Sequence, residues 1–212
     1  MKALFIVTRA SVLRGLDRFE GIWPATNVQN AKEDLTQRAS GCITDQIYKI
    51  EKYYNELADK TFINCWHINK EESYSMWKAY STAGSGIAIQ TTVGSLKNAF
   101  REHNYIQQRK IIYIDNKVDS IPSGEPEGFF LQKRQCFYPE SELRLMIMDA
   151  PPWSGVTHQL RRTDGGVLLP IDIKNLVEQI YVSPDAQKWF LETVQGLIDK
   201  YDIGIEARNS SI

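Results

Sequence analysis

Two carboxylates separated by one residue stand out in Tyr138-Pro139-Glu140-Ser141-Glu142-Leu143-Arg144, at the head of an apolar alternation. In an extended chain, residues two apart point to the same face. Two like charges held that close raise the pKa of one of them, which suits general acid or base work by Glu140 and Glu142. The competing expectation is an edge-strand charge pair with Arg144 as the partner. A second stretch, Met76-Trp77-Lys78-Ala79-Tyr80-Ser81-Thr82-Ala83-Gly84-Ser85-Gly86, brings hydroxyls together with glycines that let a backbone approach a ligand. Such a turn can offer backbone N–H groups to an anion. It is not a phosphate-binding Walker loop, because no Gly-Lys-Ser/Thr follows. On its own it reads as a helix C-cap with glycine just past the end. Third is Arg9, at the end of the first apolar run, where a guanidinium could clamp a phosphate with two hydrogen bonds. Arg14, Asp17, Arg18 and Glu20 lie nearby in the chain, so a surface ion pair is the plainer alternative.

Other reactive residue types give less. Cys42, Cys65 and Cys136 are odd in number and widely spaced, against a disulfide framework and against zinc. His67, His103 and His158 lack metal or triad spacing, and only His67, beside Trp66, falls near the candidate residues. Arg208-Asn209-Ser210-Ser211 reads as a frayed tail.

These residues must be positioned by a chain of 212 residues, long enough for one domain with a sizeable core, and the whole of 1–212 is expected to be that domain. Lys plus Arg number 25 and Asp plus Glu 26, so no global field draws the chain to nucleic acid or to a membrane surface. No apolar run reaches the roughly 18 residues of a membrane-spanning helix, and no secretory leader is evident. The expected compartment is a reducing, bacterial cytoplasm. Trp23, Trp66, Trp77 and Trp153 adjoin polar or turn residues, where they fill a core edge or line a cleft.

A strand over 3–8 opens the chain, then a glycine-bounded loop over 15–21 and a weak helix over 28–39. Ile43, Ile47, Ile50, Tyr54 and Leu57 recur at helical spacing. A strand covers 61–66, and Asn69 with Glu72 suggests a capping box for the helix through Trp77 and Tyr80. Strands are expected over 86–92, 109–114, 141–148, 167–171, 178–182 and 204–207, with short helices over 95–102 and 128–135 and loops over 115–126 and 151–166. In the 141–148 strand, Leu143, Leu145 and Ile147 alternate with Glu142, Arg144 and Met146. Ser183-Pro184 caps a last helix carrying Trp189, Phe190, Val194, Leu197, Ile198 and Tyr201. The irregular order, with no Gly-x-Gly-x-x-Gly turn, predicts an α+β fold: a single domain with a mixed, mostly antiparallel sheet flanked by helices, not a doubly wound one.

At the level of whole blocks the chain resembles the bacterial domain-of-unknown-function family 2971. The blocks are Leu4-Phe5 through Arg9 with Asp17 to Pro24, Cys65 to Asn69 with Glu72-Ser73, Met76 to Tyr80, Gly86 to Thr92, Phe137-Tyr138 with Glu140, Glu142 and Arg144, Val182 to Pro184, and Arg208 with Ser210-Ser211. They keep their order along nearly the whole chain. The resemblance implies a further N-terminal stretch before the first block, so an element usual in the family is expected to be lacking here. The order Arg, Ser-Thr, then an aromatic before Glu-x-Glu is also similar to the arginine–serine–glutamate pattern of ADP-ribosyltransferases. That similarity implies NAD as cofactor, with Arg9 on its phosphates and Ser81 and Thr82 supporting the nicotinamide ribose. Tyr138 would stand on the substrate side, Glu142 would stabilise the oxocarbenium-like sugar, and Glu140 would orient the acceptor. Ser-Thr-Ala at a helix end departs from the family's Ser-Thr-Ser on a strand.

Two further functions fit the same residues. One is a non-catalytic module binding a small nucleotide or anionic ligand in a cleft lined by Trp77, Tyr80, Ser81, Thr82, Tyr138, Arg9 and Arg144. The other is a nucleic-acid-binding defence or mobile-element protein whose basic rim comprises Arg101, Arg109, Lys110, Lys133, Arg134, Arg161 and Arg162, against which the balanced charge argues. Oligomeric state is not legible at this level.

Overall fold

The computed structural model describes residues 2–38, 42–82, 84–122, 125–152 and 154–212, and of residues 2–6 the backbone path. Ala83 of the glycine turn, Trp153, Ala39 and Ser123-Gly124 of the expected 115–126 loop lie outside the described residues. In chain order the elements are β1 (Lys2–Arg9), α1 (Ala10–Leu13), α2 (Ala25–Arg38), α3 (Ile43–Asp59), β2 (Thr61–His67), α4 (Tyr74–Tyr80), β3 (Ile87–Gln90) and α5 (Val93–Ala99). There follow β4 (Gln107–Lys110), β5 (Ile112–Ile114), β6 (Gln132–Arg134), β7 (Glu142–Met148), β8 (Arg161–Arg162), β9 (Gly166–Asp172), α6 (Ile173–Leu176), β10 (Gln179–Val182), α7 (Lys188–Lys200) and β11 (Ala207–Asn209). Three short 3-10 turns cover Pro126–Phe130, Gln135–Glu140 and Val156–Gln159.

The fold is α+β, with a mostly antiparallel six-stranded sheet in the order β4–β7–β2–β1–β9–β8 and helices beside it. In the small sheets β5 pairs β6 and β10 pairs β11 in parallel. The chain gathers into two compact units interleaved in sequence: residues 1–5, 68–104 and 170–212 form the first, residues 6–67 and 105–169 the second. Among the described residues no helix is long and apolar enough to cross a membrane.

In the second unit, β2 and β7 run antiparallel along their full length, from Thr61 opposite Met148 to His67 opposite Glu142. The core lies over this pair. Ile63, Met146 and Met148 pack with Leu57 and Ala58 of α3 and with Phe129 and Phe130. Tyr54 lies tilted on Phe129 with ring centres 3.9 Å apart, and Trp23 tilts against both rings. Each such apolar side chain taken from water contributes about 1.5–3 kcal/mol, so the aromatic wall is what ties α3 to the loops that follow β5.

In the first unit, β11–β10–β3 form a three-stranded sheet, and Ile180, Val182, Val194, Ile198, Leu96 and Leu176 are buried. Only part of the stripe expected on the last helix is inside: Trp189, Leu197 and Tyr201 are exposed.

Several local expectations are corrected. The last helix starts at Lys188 with Gln187 as N-cap, and Ser183 instead closes a turn with Ala186. The 109–114 run is two strands in different sheets, because the chain changes partner around the buried Ile111. The 128–135 segment is a 3-10 turn followed by β6. Ser73, not Asn69, caps α4, its hydroxyl accepting from Met76 N–H at 3.4 Å.

Candidate functional site

The residues singled out from sequence divide between the units. Trp77, Tyr80, Ser81 and Thr82 belong to the first, and Arg9, Tyr138, Glu140, Glu142 and Arg144 to the second. In the first unit the glycine turn is a helix end. Ser81 is the C-cap of α4 and its hydroxyl donates to the Trp77 carbonyl at 2.6 Å. Gly84 has φ +74, and a Cβ on Gly86 would collide with that of Ser81, so both glycines are demanded by the turn itself. The Thr82 and Ser85 hydroxyls bond each other at 2.9 Å. Trp77 is buried and its indole N–H donates to Glu72 at 3.2 Å, while Tyr80 is exposed.

In the second unit the two glutamates do meet, but through a cation. Ser141 adopts a left-handed conformation, φ 40, so Glu140 ends the 3-10 turn and Glu142 begins β7. Lys133 of β6 reaches both, pairing with Glu140 and lying 3.1 Å from Glu142 Oε2. Arg144 donates through Nε to Glu142 at 2.5 Å and through Nη1 to Glu20 at 2.5 Å and to the Phe130 carbonyl at 2.7 Å. Arg144 is 0% exposed and Glu20 and Glu142 are each 4% exposed. Glu20, Arg144, Glu142, Lys133 and Glu140 therefore form one continuous, alternating chain of charge. Arg134 pairs with Asp17 at 2.9 Å beside it, its guanidinium lying over Phe19 and Phe137.

The electrostatics reverse the expected sign. Burial opposes the Glu142 charge, but Arg144 and then Lys133 outweigh it and draw the pKa from 4.5 down to about 2. The expectation of a raised carboxylate pKa assumed that the nearest charge was the other glutamate; two cations are nearer. Burial likewise opposes the Lys133 charge, and Glu142 and Glu140 overcome it, raising its pKa. The alternation expected in β7 is corrected by the same cluster, because all seven residues are buried and the polar face covers ion pairs, not water. Cys65, opposite Arg144 on β2, is an exposed free cysteine. His67 Nδ1 lies 2.6 Å from the Glu140 carbonyl. Tyr138 is exposed and stands edge-on to Tyr113, whose hydroxyl oxygen accepts from Glu142 N–H at 2.8 Å.

Arg9 stands apart from this cluster. Its N–H donates to the Gly165 carbonyl at 2.8 Å and its guanidinium to the Asp164 carbonyl. It is opposite Phe62 in the β1–β2 register, and directly opposed residues share a face of the sheet. Phe62 floors an open cavity of about 420 Å³ between the end of α3 and the loop after β7. Sequence reading missed this cavity. Tyr53, Glu56, Asp59 and Lys60 line one side, and Asp149, Ser154, His158 and Arg162 the other.

Asp149 organises the loop. It accepts from Gly155 N–H and the Thr157 hydroxyl, and Arg162 Nη2 donates to Thr157 Oγ1 at 3.2 Å. Burial works against the Asp149 charge, but those bonds outweigh it and lower its pKa. Gly155 takes φ 82, which favours glycine. Lys60 and His158 are exposed; no side-chain hydrogen bond or ion pair holds the Lys60 ammonium among the described residues, whereas His158 interacts electrostatically with Asp149. The basic rim is not continuous: Arg109 and Lys110 lie on edge strand β4, Arg161 and Arg162 on the opposite edge strand β8, and Lys133 and Arg134 are spent in ion pairs.

No family model, curated protein or solved structure matches the chain.

Proposed function

We propose that this chain is a cytoplasmic, non-catalytic module that binds a small anionic ligand in the cavity between α3 and the β7–β8 loop. The observation that carries the reading is that Lys60, His158 and Arg162 all line one open cavity, the Lys60 ammonium without a side-chain partner among the described residues. A lysine and an arginine beside a histidine on a concave site of this size can supply an anion with charge-assisted hydrogen bonds. Membership of the family-2971 group is part of the proposal and rests on the ordered sequence blocks.

The transferase reading is less well supported. Glu142 would have to stabilise a developing cation, yet both its oxygens already face Arg144 and Lys133. A carboxylate whose charge is cancelled by two cations has little field left for a third.

Isothermal titration of the protein with pyrophosphate tests the reading. Saturable binding is expected, weakened about tenfold or more by Lys60→Ala and by Arg162→Ala, since a charge-assisted hydrogen bond contributes about 1.5–3 kcal/mol. Binding that is absent, or indifferent to both substitutions, overturns it.

A further inference from the structure

The outer face of α7 is not that of a helix turned to water. The inner face is fixed by Val194 and Ile198, which are buried. On the outer face Trp189 is 58% exposed, Leu197 50% and Tyr201, at the C-cap, 48%. Exposed apolar residues scattered singly are ordinary, but these recur at multiples of four and so share one side of the helix. Among them is Gly196, inside the helix, where glycine is less favourable than alanine. A Cβ on Gly196 would meet nothing within 4 Å among the described residues, and its φ is not one that favours glycine. Neither packing within the chain nor backbone conformation accounts for it. A missing side chain on an exposed helix face lets a second backbone approach closely.

The residue order on that face says what approaches. At 3.6 residues per turn, Trp189, Thr193, Gly196 and Lys200 fall on one line along the helix. Reversed, the line keeps its spacing of four, three and four residues. Laid end for end on its own copy, it sets Trp189 against Lys200 and Thr193 against Gly196, each pair twice. An ammonium over an indole face is attractive, and the threonine enters the gap that glycine leaves. The flanks agree. Lys188, Glu192 and Asp199 run down one side of the line, and Phe190, Leu197 and Tyr201 down the other. In an antiparallel pair each flank faces its own copy, so Lys188 comes within reach of Asp199 of the second copy and Phe190 within reach of its Leu197. The Lys188–Glu192 pair within the helix is 88% and 64% exposed and holds Lys188 only weakly. A parallel alignment would bring the lysines together and align the two helix dipoles.

We propose that the outer face of α7 is the contact between two copies of this chain, packed antiparallel about an axis between Thr193 and Gly196. This contact is independent of the anion-binding reading above. A 13-residue helix is about 20 Å long and about 10 Å across. Such a face falls short of the roughly 800 Å² per partner of a standard interface, so the dimer is a reversible one.

Sedimentation velocity of the intact chain from about 1 µM to about 1 mM, the range of weak association, tests this. The weight-average mass is expected to rise with concentration from monomer towards dimer. Gly196→Glu puts bulk and like charge on the axis and is expected to weaken self-association about tenfold or more, with circular dichroism unchanged. Gly196→Ala is expected to raise the Tm of the monomer and to weaken association to a smaller degree. Lys188→Asp and Asp199→Lys each weaken association, and the double variant restores it. A monomer at every concentration overturns the proposal. Association indifferent to Gly196→Glu overturns this face as the contact. Association lost in both single charge variants and not recovered in the double overturns the antiparallel alignment.

Discussion

Arg144 and Glu20 are 124 residues apart in the chain and meet as a two-pronged ion pair, Nη1 to Oε1 at 2.5 Å and Nη2 to Oε2 at 3.1 Å. Arg144 also serves Glu142, so one buried guanidinium joins the turn after α1 to the head of β7. Removing it leaves two buried carboxylates with their desolvation cost and no shared cation. Arg144→Met is therefore expected to destabilise the second unit by about 3–5 kcal/mol, read as a lowered midpoint in urea. Arg144→Lys should recover little, because an ammonium cannot make the same fork of bonds. An unchanged midpoint in Arg144→Met would mean that the cluster contributes nothing to folding.

Acid should dissolve the same cluster in a defined window. Glu142 has a folded pKa of about 2, below its ordinary 4.5. A group with a depressed folded pKa contributes stability that is full above its unfolded value and is lost as pH falls through its folded value. The shift corresponds to about 3 kcal/mol. Urea midpoints measured from pH 6 down to pH 2 should therefore fall most steeply below pH 4.5. In Glu142→Gln the slope across that window should flatten, even though the variant starts less stable at pH 6.

Why was so much of the fold legible, and the site so little? Ile47, Tyr54 and Leu57 mark the buried side of α3 by spacing alone, and the runs that became β2, β7 and β10 are apolar enough to name themselves. These features are local. The role of Glu142 is not, because it depends on Lys133 nine residues earlier and on a guanidinium whose other partner is Glu20. Glu-x-Glu next to Arg is compatible with a solvated edge or a buried cluster, and only long-range packing separates the two. The cavity was invisible for the same reason: Lys60 and His158 are far apart in sequence and are brought together by the backbone bond from Asp149 N–H to the Lys60 carbonyl at 2.8 Å. One local signal was available, namely two acids in a helix's last turn, and it points to the cavity wall.

The C-terminal residues, expected to fray, are held. β11 pairs parallel with β10, and Glu72 accepts from the Ser210 hydroxyl at 2.5 Å and from Ser211 N–H and hydroxyl at 2.8 Å each. Glu72 also holds the Trp77 indole at 3.2 Å, so one carboxylate fastens the tail to the buried aromatic of α4. Glu72→Ala should raise amide hydrogen exchange at Ser210 to Ile212 on the order of tenfold, since bonds to a charged acceptor contribute about 1.5–3 kcal/mol and local opening tracks them. The Trp77 emission should shift in the same variant. Exchange unchanged in Glu72→Ala would show that β11 pairing alone holds the tail.

The sharpest test of chemistry against binding uses NAD. A transferase of the arginine–serine–glutamate type needs its glutamate free to face the sugar as the nicotinamide leaves. Here the two Glu142 oxygens are taken up by Arg144 and Lys133, and freeing the carboxylate would break both ion pairs. Incubation with NAD is therefore expected to release no nicotinamide beyond a buffer control, in wild type and in Glu142→Gln alike, while Lys60→Ala loses anion binding. The pairing matters. Release seen in wild type and lost in Glu142→Gln, with the fold retained by circular dichroism, would restore Glu142 as a catalytic group and make its ion pairs a resting state that substrate must displace.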